Sequence, residues 1–178
     1  MTSPRFSDGK LALFLVLGLG VAGAAGGWWY QQSLQRRPIR LWGRDAAVLF
    51  VSAPQAELWR LEAHAKTGSP DFAAADGEAF RVLHKVNVSQ ARGFLHLRHS
   101  LLSDHSFDWS ADTASGRRNW RYALRFIDGD RVATLLISDD FQHAMLAETS
   151  AAASISPIAH GIKTLFDEQL RQSSPGTP

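Results

Sequence analysis

The 178 residues carry 19 Lys/Arg against 17 Asp/Glu, a formal net charge of +2, and no cysteine. Without cysteine, a disulfide scaffold, a zinc ribbon and a lipid-modified cysteine are all excluded, and redox chemistry says nothing about compartment. From Asp45 onward 13 Lys/Arg face 16 Asp/Glu, so the positive excess lies in the first quarter and the high pI does not mark a nucleic-acid binder.

Residues 1–10 form a basic tail with Arg5 and Lys10, and LALFLVLGLGVAGAAGGWWY follows at 11–30 without one charge. About twenty helical residues at about 1.5 Å each span about 30 Å, the thickness of a bilayer's hydrocarbon core. A helix satisfies every backbone polar group in such a segment, which therefore reads as a transmembrane helix. Trp28, Trp29 and Tyr30 stand where interfacial aromatics anchor a span. Gly23 and Gly27 make a GxxxG pair, repeated in kind by Gly18, Ala22 and Gly26, a spacing that lets a second helix approach.

The same stretch contains the parts of a signal peptide: a basic start, an apolar run at 11–21 and an A-x-A-like Ala22-Gly23-Ala24. Cleavage after Ala24 or Ala25 is thus the competing expectation. Apolar character continuing through Gly27, the aromatic triplet and the arginines beyond it favour a retained signal-anchor. Arg36, Arg37, Arg40 and Arg44 lean the rest of the chain toward the cytoplasm, whereas a short basic tail before a single span favours export. The side of the membrane stays open.

Residues 31–38 (QQSLQRRP) read as a polar juxtamembrane linker, 39–171 as one soluble domain, and 172–178 as a disordered tail. Within the domain, AAVLFVS fits a buried strand or a helix. AELWRLEAHAK has high helix propensity behind Ser52-Ala53-Pro54-Gln55, which resembles a capping box, yet a strand with Trp59 and Leu61 on one face fits almost as well. AFRVLHKV at 79–86 reads as a strand. For 88–103 the pattern predicts a helix capped by Asn87 or Ser89, since Val88, Ala91, Phe94, Leu95, Leu97, Leu101 and Leu102 share half a helical wheel.

Next comes a hairpin. Trp120, Tyr122, Leu124 and Phe126 alternate with polar or small residues, Asp128-Gly129 tolerates a tight turn, and RVATLLIS returns. The four even residues are expected to share a core face with Ala133, Leu135 and Ile137. Arg121 and Arg125 fall on the opposite, partly wet face with Val132, Thr134 and Leu136. A last helix is predicted from a Ser156 cap and Pro157 in the first turn, with Ile158, Ile162, Leu165, Phe166 and Leu170 as its apolar stripe. Helices interspersed with antiparallel strands predict an α+β domain, a sheet packed against two or three helices.

Three groups of side chains invite chemistry. His96, His99 and His105, with Asp104 and Asp108, are residue types that ligate divalent metals, but the spacing is not H-E-x-x-H and Arg92 and Arg98 oppose a cation. Asp139 and Asp140 with His143 form an acid–imidazole group that more often caps a turn than transfers protons. Arg117, Arg118, Arg121 and Arg125 make the densest positive group. Their alternation with Trp120 and Tyr122 separates cations from aromatics, so a nucleic-acid stacking platform is not expected. Hydrolase elbows, P-loops and dinucleotide fingerprints are absent.

These patterns predict a single-pass cell-membrane protein, a non-enzymatic binding domain held at the bilayer surface. Its expected partners are the lipid bilayer and a protein, met through Arg121 and Arg125 or through Gly23 and Gly27, with no cofactor and no nucleic acid. The competing classes are a membrane-anchored metal-dependent enzyme centred on His96, His99 and His105, and an exported domain freed by cleavage.

Overall fold

The computed structural model describes residues 8–34, 36–63, 71–74, 77–111 and 118–173. The chain divides into two compact units, Met1–Arg36 and Arg37–Pro178.

The first unit is built on helix α1, Asp8–Leu34. Its described side chains are those of 13–28, about 24 Å of helix at 1.5 Å per residue. Among the described residues no helix is long and apolar enough to cross a membrane. Nothing comes within 4 Å of a Cβ built on Gly23 or Gly27, so that edge of the helix is uncovered. Part of the segment expected as a linker is helical: 31–34 continue α1, and Pro38 lies in α2, Arg36–Trp42. Proline is tolerated there because the first-turn N–H groups have no intrahelical acceptor to lose.

In the second unit α2 leads through Gly43, at φ 81°, into α3, Arg44–Ser52. AAVLFVS is therefore a helix, and it buries Ala46, Ala47, Leu49 and Phe50. The helix stops at Ala53 because Pro54 forces the residue before it into an extended conformation. The supposed capping box thus marks a helix end, where the Ser52 hydroxyl donates back to the Val48 carbonyl at 2.9 Å.

Seven strands follow: β1 (Gln55–Ala63), β2 (Phe72–Ala73), β3 (Ala79–Asn87), β4 (Trp120–Asp128), β5 (Arg131–Ser138), β6 (His143–Leu146) and β7 (Ala152–Ser154). They form one antiparallel sheet in the order β2-β3-β1-β4-β5-β6-β7. The domain is α+β as expected. Helix propensity in AELWRLEAHAK is overridden because β1 is paired on both sides, with β3 and β4.

Both faces of the sheet are apolar. One carries Leu58, Leu124, Phe126, Leu135 and Ile137 and is covered by α3, by α4 (Phe94–Ser100) and by α5 (Ala159–Ser173). Phe126 centres this core, with ring centroids 4.9 Å from Phe50 and 6.0 Å from Phe94. The other face gathers Trp59, Leu61, Phe80, Trp120, Ala123, Leu136 and Met145. Trp59 and Leu61 do share a face, and the side expected to be partly wet holds a second core.

Four expectations need correction. Trp120 belongs to the second cluster, because the β4–β5 register shifts between Trp120 and Tyr122 and turns it to the opposite face. The helix expected at 88–103 is only α4. Val88 still donates to the Ala56 carbonyl at 2.9 Å, Ser89 N donates to Asn87 Oδ1, and Ser89 Oγ accepts from Ala56 N. Both expected caps are thus committed to a turn, and the helix starts only after Gly93 at φ 84°. Leu95, expected in the core, is 67% exposed.

Finally, Ser156 opens a 3-10 turn (Ser156–Ile158) and contacts Ser154 Oγ instead of capping α5. The stripe along α5 is as expected, with Ile162 and Phe166 buried and Ile158, Leu165 and Leu170 packed against them. The helix runs on to Ser173, so residues 172 and 173 are helical; the remainder of the expected tail, 174–178, lies outside the described residues.

Candidate functional site

Between α4 and α5 the apolar stripes do not close fully. They leave a half-open cleft of about 510 Å³ with Leu97, Ile158, Ile162 and Leu165 among its walls. That volume falls in the range of small-molecule sites, as does an apolar lining with a few polar groups. The hydroxyls in it are occupied: Ser100 Oγ donates to the His96 carbonyl at 3.0 Å and Thr164 Oγ1 to the His160 carbonyl at 2.9 Å. Glu168 Oε1 accepts from Gln172 at 3.3 Å. Among the described residues Arg92, His96 and His160 have no hydrogen bond or ion pair from their side chains, and they line the cleft with charge and imidazole. Sequence reasoning singled out His96 and Arg92 but missed His160, which lines the same cleft from 64 positions further along the chain and belongs to no motif.

On the second face of the sheet Arg125 lies over the Trp59 ring, 4.8 Å from its centroid, and Lys85 Nζ lies 4.6 Å from the same centroid. Trp59 Nε1 donates to Glu57 at 2.8 Å, so the indole is fixed at its edge as well as its faces. Arg125 also borders a smaller hollow of about 340 Å³ with Asp130, Thr134 and Glu148. Its Nε is buried without a hydrogen-bond partner among the described residues. Glu148 is engaged by the Thr134 amide at 2.8 Å. Arg121 stands exposed at the register shift, about 13 Å along the strand from Arg125 at about 3.3 Å per residue. The two arginines therefore meet different surroundings. Arg117 lies outside the described residues.

All three histidines proposed for metal, His96, His99 and His105, are exposed, and His96 lines the mouth of the cleft. Among the described residues no three His, Cys, Asp or Glu side chains are placed to hold one ion. Asp108 is engaged by the Ser110 hydroxyl at 2.6 Å and its amide at 3.0 Å, bonds that hold its carboxyl below the usual range. Arg98 is not a solvated neighbour of the histidines. It is 7% exposed and donates to the carbonyls of Phe50, Val51 and Ala53, the last at 2.8 Å.

At the β5–β6 turn Ser138 Oγ donates to Asp140 at 2.5 Å and accepts from the His143 amide at 3.0 Å. Asp140 also takes the Gln142 amide at 2.9 Å. The hydroxyl is thus turned toward a carboxylate, and the geometry is that of a side chain capping backbone amides.

No protein-family model matches the chain, and no curated protein or solved structure is significantly similar to it.

Proposed function

We propose that this is a single-pass membrane protein whose α+β domain is a non-enzymatic binding module, with the α4–α5 cleft as its ligand site. The anchor reading is supported by the twenty uncharged residues 11–30, which end in Trp28, Trp29 and Tyr30. The observation that carries the binding reading is the cleft itself, an apolar channel of about 510 Å³ whose polar side chains without a partner among the described residues are Arg92, His96 and His160. Apolar walls suit a hydrocarbon or an apolar side chain, and the cationic and imidazole groups suit an acidic end. Tethering to the bilayer raises the effective concentration of partners that share the membrane, so modest affinity suffices there.

Dodecanoate, an apolar chain with one carboxylate, is a direct probe. Titrated into the isotope-labelled protein, it is expected to shift the amide resonances of α4 and α5 first. Gly161→Phe, which places a ring in open space beside the cleft, should block that shift while the rest of the spectrum persists. Shifts confined to the opposite sheet face, or unchanged by Gly161→Phe, would remove the cleft from the reading.

A further inference from the structure

The two short helices that open the second unit divide their residues sharply between core and surface. Trp42, Ala46, Leu49 and Phe50 are buried. Outside stand Arg37, Arg40 and Arg44, all exposed, with Ile39 at 38%, Val48 at 43% and Val51 at 47% exposure. On α3, residues 44, 48 and 51 follow the i, i+4, i+7 spacing of one helical stripe, so a cation and two valines share an edge. Asp45 is the one carboxylate on α2 and α3. None of the three arginines is in an ion pair among the described residues.

Arginine beside exposed aliphatic side chains, on short helices, is the composition of a surface that lies in a headgroup layer. The charges meet lipid phosphates while the valines and isoleucine enter the acyl boundary. An acidic protein partner would use the arginines but has no need of the aliphatic groups. Continuity supplies the second support, because α2 begins six residues after the apolar stretch ends at Tyr30. From these observations we infer that the exposed face of α2 and α3 is a docking surface for anionic lipid. It would hold the domain against the bilayer through Arg37, Arg40, Arg44, Val48 and Val51. The inference rests on the anchored reading of the chain, which places these helices beside a membrane.

Residues 37–178 form a compact unit whose two apolar clusters, with the side chains packed against them, draw only on residues 41–170, so that unit serves for the test without the anchor. It is expected to sediment with phosphatidylcholine vesicles containing phosphatidylglycerol, to release on raising salt, and to stay in solution with phosphatidylcholine alone. Each arginine contributes about fivefold in affinity, so Arg37→Gln, Arg40→Gln and Arg44→Gln together should weaken binding about a hundredfold. Val48→Ser with Val51→Ser should weaken binding without changing its salt dependence. Arg60→Gln with Arg171→Gln, two exposed arginines elsewhere, should leave it unchanged. No sedimentation with the anionic vesicles at low salt, or equal losses in both arginine sets, overturns the surface. Whether the full chain remains in membranes after an alkaline wash is read separately, so failure of the anchor and failure of this surface are distinguishable.

Discussion

His143 sits at the start of β6, partly buried, with Arg118 and Asp140 nearby. Burial holds its imidazole below the ordinary value and Arg118 adds to that, while Asp140 pulls the other way. A base with a depressed folded pKa binds fewer protons than in the unfolded chain. Its contribution to stability is therefore present above the unfolded value and lost as pH falls below about 6.5 toward the folded one. Burial of Asp140 would raise its carboxyl, but hydrogen bonds from Ser138 and the Gln142 amide, with the His143 charge, bring it below the usual range. Its contribution is lost only at lower pH, as the carboxylate protonates. The melting temperature should thus fall on acidification in two steps, and His143→Gln should remove the upper one. A variant that melts with the parent profile between those steps would show that another group titrates there. The sequence pointed to a turn in which the aspartates cap backbone amides, and Asp140 does so; the Ser138 hydroxyl that joins it is the part left to the structure.

At the scale of elements, α3 is held at its C-terminal end from a distance. Arg98 on α4 bonds the Phe50 and Val51 carbonyls of its last turn and that of Ala53 just beyond, and lies over the rings of Phe94 and Phe126, 4.9 and 5.5 Å from their centroids. A cation at the negative end of a helix answers both the orphan carbonyls and the macrodipole. Arg98→Met keeps the aliphatic volume but strands those carbonyls, and should cost about 3 kcal/mol in urea unfolding. A loss under about 1 kcal/mol would mean that water satisfies the carbonyls equally well. In the sequence this arginine reads as one more surface charge, because its acceptors lie 45 to 48 positions upstream. β1 teaches the same lesson in reverse: its composition favours a helix, and two flanking strands make it the inside of a sheet.

For the whole molecule, the proposed anchor governs where every other property operates. The full chain should stay with membranes through an alkaline carbonate wash and leave them only in detergent, with an intact mass that includes residues 1–24. A washed-out protein, or a mature chain beginning after Ala24 or Ala25, would replace the anchor with the export reading.

Sequence alone determined what depends on near neighbours. The β4–β5 hairpin was legible because its turn is two residues long and its alternation is local, and α5 because one stripe repeats along fifteen residues. The uncharged run at 11–30 was equally plain, being a matter of composition. Tertiary structure decided what depends on a distant partner: the strand fate of β1, the late start of α4, the face taken by Trp120, and the cleft that both His96 and His160 line. Those outcomes turn on pairing and packing energies between segments tens of residues apart, and no local pattern encodes which segment will arrive.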